Sequence, residues 1–296
     1  MKRHIKKVIK GVIAATIALG VVQSVSPQGT YAAQAVTDYS GHAYKSYIEY
    51  TIQNKLMWLF PDGNFRPEQP ITQADLVAGL VNAKALTAGT AVEGVPAGHW
   101  AKVYYERAKK DGILDDVVVN PNKVLTREEA AFLMNNAWKS MYRVCRDKRQ
   151  VYSDFAVGAG WIPKKAGKFA NGVSTTAYDG LGTVTRGEEA VALYLLNKDV
   201  NDTKVGEEIA LKFHNSLKIS NGYLVGTIPR VQGKDIKLVV RFKNNDGATY
   251  KAGSDVKVNA SQIFDMEFSV KNSGQAKPIA LYSYDRSNLT TRKNVR

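Results

Sequence analysis

Three short stretches with the same pattern recur along the chain and constrain its fold more than any other feature. They are Ile71-Thr72-Gln73-Ala74-Asp75, Leu125-Thr126-Arg127-Glu128-Glu129 and Val184-Thr185-Arg186-Gly187-Glu188. In each, a Thr is followed three residues later by a carboxylate, which is the pattern of a capping box at a helix start. The Thr residues are 54 and 59 residues apart. A period of this length predicts one helix–loop–helix unit used three times.

The residue after the capping Thr points to a ligand. Arg127 and Arg186 follow the Thr, at the first helical position, where the helix dipole disfavours a cation by about 0.3–1 kcal/mol relative to an acid. A helix start with free N–H groups is also an anion site, and a guanidinium binds a carboxylate with two hydrogen bonds. Two interpretations follow: an acidic ligand held at the helix start, or an exposed Arg paired with a nearby Glu. Gln73 replaces Arg in the first unit, so we expect weaker binding there.

The first 35 residues have the pattern of a secretion signal. A basic start, which includes Lys2 and Arg3, precedes an apolar stretch over 11–25 and then small residues. The apolar stretch is short for a membrane span of about 20 residues, which leaves an uncleaved anchor as the alternative. We therefore expect an exported protein without a transmembrane segment. Its single cysteine, Cys145, allows no intramolecular disulfide, so stability must come from the hydrophobic cores.

The positive charge belongs mainly to the last third of the chain. The whole sequence has a formal net charge of +14, and residues 201–296 hold 16 Lys and Arg against 9 Asp and Glu, a net +7. Such a surface suits acidic polymers such as wall polysaccharide, teichoic-type chains or nucleic acid. The alternative interpretation is an ordinary soluble surface with spare lysines.

Residues 36–200 predict the three helical units, with limits 36–88, 89–148 and 149–200. The stretch Phe60-Pro61-Asp62-Gly63-Asn64-Phe65-Arg66-Pro67 supplies dense turn chemistry between the two helices of the first unit. Gly98-His99-Trp100-Ala101 opens the second unit's first helix. In the third unit we expect a weak helix from Trp161 to Asn171-Gly172, and a connecting loop that becomes shorter from unit to unit.

Residues 201–296 change character and predict an all-β domain. The polar stretch 197–206 reads as a linker. Six segments then have strand composition, with Asn221-Gly222, Asn245-Asp246-Gly247 and Asn272-Ser273-Gly274 as turns between them. The expected strands are 211–214, 223–228, 236–242, 256–258, 266–270 and 279–284. Short strands at this density predict an antiparallel sandwich of the immunoglobulin-like type.

These residues resemble a known family, the S-layer homology (SLH) domain. The resemblance rests on Gly98-His99-Trp100-Ala101, on the loop from Phe60 to Pro67 and on the Thr-Arg-x-Glu starts, and it covers about residues 38–200. The family implies three tandem repeats in a three-fold pseudo-symmetric helical domain. Its grooves bind secondary cell-wall polysaccharide, commonly pyruvylated, and anchor the protein non-covalently to the bacterial wall. On that resemblance Arg127 and Arg186 are ligand arginines.

Other candidate glycan-binding residues each have a second interpretation. Trp100 can stack on a sugar ring or belong to the core. The same two interpretations apply to Trp58 and to Trp161. Asp62 and Gly63 can contact a sugar or simply form the turn. His42 and His99 are isolated and more typical of polar loop residues, so we expect no metal and no cofactor.

The sequence therefore predicts a multidomain α + β surface protein that is not an enzyme. Its partners would be an acidic wall glycan and S-layer subunits, with no nucleic acid expected, at the cell wall or S-layer. One alternative is a basic adhesin that acts through residues 201–296. Another is a glycan hydrolase, which needs a carboxylate pair, and Asp265 with Glu267 is the close pair on one strand of the β domain.

Overall fold

The computed structural model describes residues 38–139, 152–168, 172–175 and 179–285. The predicted secretion signal, Cys145 and residues 286–296 lie outside these residues. The helices are α1 Lys45–Gln53, α2 Gln73–Ala83, α3 Lys102–Asp111, α4 Arg127–Ala137, α5 Tyr152–Ala159 and α6 Arg186–Ser216. The strands are β1 Gly167–Lys168, β2 Ser174–Thr175, β3 Lys218–Ser220, β4 Tyr223–Thr227, β5 Lys234–Phe242, β6 Gly247–Lys251, β7 Asp255–Asn259, β8 Ile263–Asn272 and β9 Pro278–Asp285. Of the helices described, none is both long and apolar enough to cross a bilayer.

The three predicted capping boxes are confirmed at the starts of α2, α4 and α6. In each, the Thr side chain accepts from the backbone N–H three residues on, and the acid at that position accepts from the Thr N–H. The pairs are Thr72 with Asp75, Thr126 with Glu129, and Thr185 with Glu188. The local pattern alone therefore determines where these three helices begin.

The segments that carry the capping boxes pair with one another. Isolated bridges join Pro70 with Thr185, Thr72 with Val124, and Thr126 with Thr183. Ile71 donates its N–H to the oxygen of Val184 over 3.0 Å and accepts from Leu125 over 3.1 Å. The starts of α2, α4 and α6 are thereby drawn together, and one hydrophobic core extends from Ile48 to Val200. Three-fold pseudo-symmetry is compatible with this arrangement and stays a prediction.

The third unit differs from the sequence prediction. Its first helix, α5, ends before Trp161, so the helix expected from Trp161 to Gly172 is wrong. Leu56, Ile113 and Trp161 are equivalent, because each donates its N–H to the carbonyl five residues earlier. On this alignment the connection from Trp161 to Val184 is the longest of the three and contains the small β1–β2 hairpin. The expected shortening of the loops is therefore also wrong.

One helix crosses the predicted linker. Helix α6 continues without a break through 197–206 and through the segment 211–214, which was expected to be a strand. Both expectations are wrong, because intrinsic propensity is a weak guide when each end of a helix is held by a core. Val200 belongs to the first core, while Ile209 and Phe213 belong to the second. The domain limits themselves stay predictions.

Two antiparallel sheets follow α6 in the described residues, which end at Asp285. One has the order β3-β4-β7 and the other β6-β5-β8-β9. Five of the six expected strands are present, as β4, β5, β7, β8 and β9, whereas β3 and β6 were not foreseen. Asn221, Gly222 and Asn245 have positive φ, as the predicted turns require. The last turns of α6 close this second core, where the Phe213 ring stacks on Phe268 at 4.3 Å.

Candidate functional site

The three helix starts have no free N–H group in their first turn. Main-chain oxygens of a neighbouring unit accept from the first two N–H groups of each helix, and the capping Thr accepts from the third. The first-position pairs are Gln73 to Lys123 (2.8 Å), Arg127 to Gly182 (2.7 Å) and Arg186 to Gln69 (3.0 Å). The second-position pairs are Ala74 to Pro121, Glu128 to Gly180 and Gly187 to Pro67. An anion site made of helix-start N–H groups is thus excluded at α2, α4 and α6.

The two arginines of the repeated pattern are buried. Arg127 is 0% and Arg186 5% exposed, so the alternative of an exposed Arg is wrong. Arg127 donates to Glu188 Oε1 over 2.8 Å and to the main-chain oxygen of Pro163. Arg186 donates to the main-chain oxygens of Phe65 and Trp58, both over 2.8 Å. Each guanidinium therefore binds a loop of another unit.

Gln73 also binds a loop of another unit, but through a side-chain amide in place of a guanidinium. Its amide nitrogen donates to the oxygen of Val118 over 3.0 Å, and its amide oxygen accepts from Tyr105 Oη over 2.9 Å and from the Asn120 N–H over 2.8 Å. A direct ligand role for Gln73, Arg127 and Arg186 stays a prediction. It would require a sugar carboxylate to displace acceptors that these side chains already have.

Trp161 and Trp100 have opposite environments. Trp161 is fully buried and stacks on Trp138 at 4.2 Å, so it belongs to the core, which was the second interpretation. Trp100, by contrast, is 50% exposed. Only Trp100 of this pair presents a ring that an outside molecule can reach.

An exposed aromatic cluster forms where the first and second units meet. It consists of Trp58, His99, Trp100 and Tyr104. Trp58 and Trp100 are edge-to-face at 5.7 Å, Trp100 and Tyr104 lie 6.1 Å apart, and Trp58 and Tyr104 lie 6.3 Å apart. Trp58 is 43% exposed. The sequence alone does not bring Trp58 together with Trp100, because helix α2 and the loops on both sides of it separate the two residues.

Both halves of the aromatic cluster are held by hydrogen bonds. The main-chain oxygen of Trp58 accepts from Arg186, as described above. On the other side, Nδ1 of His99 accepts a hydrogen bond from the Ala101 N–H over 3.2 Å. The His99 ring also stacks on the Trp100 ring, with 5.9 Å between the ring centres. His42 makes the equivalent bond to the Tyr44 N–H over 3.1 Å. The two histidines thus order the starts of α3 and α1.

Asp62 and Gly63 shape the loop that follows Trp58. Asp62 accepts from Arg66 over 2.7 Å and from the Asn64 N–H over 3.0 Å, and the Arg66 hydrogen bond lowers the pKa of its carboxyl to about 2. Gly63 has φ +82°, which a turn of this kind requires. The turn role is confirmed for both residues, whereas contact with a sugar stays a prediction.

The loop is also closed around one aromatic ring. The guanidinium carbons of Arg66 and Arg186 lie 4.1 and 4.7 Å from the centre of the Phe60 ring, within the range of cation–π attraction. Phe60 therefore lies between an exposed and a buried arginine. Among the residues described, no group of three His, Cys, Asp or Glu side chains is placed to hold a metal ion.

Comparison with known proteins identifies part of this region. Residues 37–77 match the model of the S-layer homology domain. No curated protein matches the chain. The matched segment contains Trp58, Asp62, Gly63 and Gln73, while Trp100, Arg127, Trp161 and Arg186 lie beyond it. Residues 37–77 thus carry an S-layer homology domain, a binding module that implies a cell-surface protein anchored to the cell wall.

Proposed function

We propose that the chain anchors an exported protein non-covalently to the bacterial cell wall by binding secondary cell-wall polysaccharide with pyruvylated sugars. The aromatic cluster is the surface that receives the glycan. The observation that carries the proposal is the pair of half-exposed indoles of Trp58 and Trp100, in contact with each other and continuous with Tyr104. Single exposed apolar side chains are ordinary, but a contiguous exposed patch is typical of an interaction site.

Aromatic rings suit a glycan because a sugar ring has an apolar face and polar edges. An indole supplies a large rigid surface with little conformational freedom to lose, and its N–H remains able to bond at the rim. Since hydrogen bonds fix the backbone on both sides of the cluster, the rings are arranged before the ligand arrives. A preorganised site loses less entropy on binding.

We further propose that three tandem repeats build the anchor. The support is the set of bridges among the capping segments and the repeated use of the residue after Thr to bind a loop of another unit. In this proposal Arg127, Arg186 and Gln73 are positioning residues for the glycan surface. The sequence-based hypothesis of direct carboxylate binding by the arginines is the alternative.

The β domain is proposed to be an immunoglobulin-like sandwich that serves surface assembly or partner contact. Its support is the pairing of a three-stranded with a four-stranded antiparallel sheet over one core. Helix α6 contributes Val200 to one core and Phe213 to the other. A load on the β domain would therefore pass to the anchor through a continuous helix.

Two alternative functions can be distinguished from the proposed wall anchor. A basic adhesin would act through residues 201–296 with their net charge of +7, and its affinity should fall steeply with salt. A glycan hydrolase would need a free carboxylate pair. Asp265 is instead bound to Arg241 Nε over 2.6 Å, which disfavours the pair Asp265 and Glu267.

The deciding experiment is binding to purified cell walls, before and after chemical removal of the secondary polysaccharide. We expect Trp58→Ala and Trp100→Ala each to weaken binding about ten-fold or more, since burying an aromatic side chain is worth about 1.5–3 kcal/mol. Tyr223→Ala is the matched control, because Tyr223 is an exposed aromatic of the β domain, 41% accessible. Equal binding to stripped walls, or a loss confined to Tyr223→Ala, would contradict the proposal.

A further inference from the structure

Three polar side chains meet at one end of the second core. Lys234 is the first residue of β5 and Asn272 the last of β8, and the two are direct partners in the register of these antiparallel strands. The third is Asp202 of helix α6. Nζ of Lys234 donates to Oδ1 of Asn272, and Nδ2 of Asn272 donates to Oδ2 of Asp202 over 3.0 Å. The carboxamide of Asn272 therefore lies between an amine and a carboxylate.

The lysine and the asparagine are on the core side of their sheet. Successive side chains of a strand point to opposite faces, so Lys234 and Asn272 share a face with Ile236 and Val270, which are paired with each other and buried. The side chain of Lys234 is only 16% exposed, and that of Asp202 is 36% exposed. An amine is thus placed at the border of a hydrophobic core, where it is largely shielded from water.

Helix α6 holds its carboxylate close to this end of the sheet. Gly206 lies one helical turn beyond Asp202, and a Cβ built on it would lie 2.7 Å from the Cβ of Ala280 in β9. No side chain fits in that space, so glycine allows the helix to approach the sheet directly. The position of Asp202 is therefore fixed by packing as well as by its hydrogen bond to Asn272.

The contact of the lysine differs from an ordinary ion pair. Nζ of Lys234 is 3.9 Å from Oδ1 of Asp202, whereas a hydrogen bond between an amine and a carboxylate is usually about 2.7–2.9 Å long. Nζ instead contacts Oδ1 of Asn272, which is bonded to the carbonyl carbon Cγ. A lysine amine is a nucleophile towards carbonyl carbons. The nucleophilic nitrogen therefore lies beside the carbon that it would attack.

We propose that Lys234 and Asn272 become joined by an intramolecular isopeptide bond, with Asp202 as the proton carrier. The reaction starts from the neutral amine of Lys234, whose Nζ attacks Cγ of Asn272. The carboxylate of Asp202 takes a proton from Nζ and passes it to Nδ2. The Nζ–Cγ bond forms, the Cγ–Nδ2 bond breaks with its electron pair on nitrogen, and ammonia leaves. One amide replaces another, so the step needs no oxidant, reductant or further reactant.

The arrangement supplies the two factors that such a slow reaction needs. The sheet register holds the amine against the amide, and well-oriented intramolecular reactants behave as if present at about 10⁵–10⁸ M. The carboxylate of Asp202 is next to both nitrogens, with Oδ1 towards Nζ of Lys234 and Oδ2 bonded to Nδ2 of Asn272. It can therefore act first as a base and then as an acid.

The link would tie β5 to β8 and enclose the chain between them, which includes β6 and β7. A cross-link of this kind stabilises a domain chiefly by restricting the unfolded chain. The sequence has one cysteine, so an isopeptide bond would supply a covalent constraint that a disulfide within the chain cannot. The inference goes beyond the proposed function and does not depend on which polymer the anchor binds.

The test is mass spectrometry of the unfolded mature protein, with its N-terminus determined by sequencing. We expect a mass lower than that of the unreacted chain by one ammonia molecule. Trypsin should fail to cleave after Lys234, because its Nζ is acylated, and should yield a branched peptide that joins 231–237 to the peptide beginning at Asn272. Lys234→Arg and Asp202→Asn should each restore the unreacted mass. Lys237→Arg is the matched control, since Lys237 is exposed on the other face of β5, and it should keep the link.

The wild-type measurement decides the proposal whether or not the variants fold. An unreacted mass overturns it. Loss of ammonia with normal cleavage after Lys234 also overturns it, because a succinimide formed at Asn272 by its own backbone releases ammonia without joining the two peptides. Ammonia loss that persists in Lys234→Arg has the same meaning. A link that forms fully in Asp202→Asn would refute the assignment of Asp202 as the proton carrier.

Discussion

Arg186 donates a hydrogen bond from Nη2 to the main-chain oxygen of Trp58 over 2.8 Å, across 128 residues of sequence. Arg127 makes the same type of bond to the main-chain oxygen of Pro163. Trp58 and Pro163 are equivalent, because each follows its unit's core residue, Leu56 or Trp161, by two positions. The same bond therefore occurs twice, and in both cases a residue at a helix start holds a loop of a different unit.

Replacing Arg186 should loosen the loop that carries Trp58. We expect Arg186→Gln to lower the free energy of unfolding by about 1.5–3 kcal/mol, the contribution of hydrogen bonds to a charged group, and to weaken wall binding as well. Urea denaturation and the wall-binding assay measure the two effects. Arg66→Gln is the control, since Arg66 also lies against Phe60 but forms only an exposed ion pair with Asp62, worth at most about 1 kcal/mol. Equal losses in the two variants would refute the positioning role.

Introducing the repeated Arg into the first unit should be harmful. Gln73 accepts two hydrogen bonds, from Tyr105 and from the Asn120 N–H, and an arginine cannot accept any. We expect Gln73→Arg to reduce the free energy of unfolding by about 1–3 kcal/mol through the unsatisfied donors it leaves. Chemical denaturation tests this, with Gln53→Arg on the exposed surface of α1 as the control. A Gln73→Arg variant as stable as the wild type would show that the donors find other partners.

Glu189 makes stability depend on pH. It is 1% exposed, and neither carboxyl oxygen has a hydrogen-bond partner among the described residues. Burial, reinforced by Asp75, raises the pKa of this carboxyl from 4.5 to about 8. An acid with a raised pKa holds its proton more tightly in the folded chain. Its contribution to stability therefore falls as pH rises from the unfolded value towards 8, by about 1.4 kcal/mol per pH unit.

Glu189→Gln should remove this dependence. The variant and the wild type should be about equally stable near pH 4.5, and the variant should become progressively more stable up to pH 8. Denaturation series at several pH values measure the difference. Glu93→Gln is the control, because Glu93 is exposed. A difference that does not grow with pH would mean that Glu189 is ionised throughout.

The end of α6 should be essential to the second core. Phe213 is fully buried and stacks on Phe268, whereas Leu211 on the same helix is 45% exposed. We expect Phe213→Ala to lower the free energy of unfolding by about 3–5 kcal/mol and Leu211→Ala by less than about 1 kcal/mol. Comparable losses at the two positions would contradict the helical orientation of this segment.

Features that depend on neighbours in sequence were predictable. The capping boxes at Thr72, Thr126 and Thr185 need only a hydroxyl and an acid three residues apart, so their pattern determines the helix starts. The positive φ of Asn221 and Gly222 likewise follows from local chemistry. Five of the β-domain strands were found from composition and alternation, because one face of each is buried.

Features that depend on distant partners required the tertiary structure. Sequence placed Arg127 and Arg186 at the first helical position, but only the fold supplies the oxygens of Pro163, Phe65 and Trp58 that let them be buried. The polar stretch 197–206 is helical because two separate cores hold the ends of α6. Local hydrogen bonds close within one turn and can be read from residue spacing. Burial instead depends on which surfaces of the chain come together, and this made Trp161 a core residue and Trp58 a surface one.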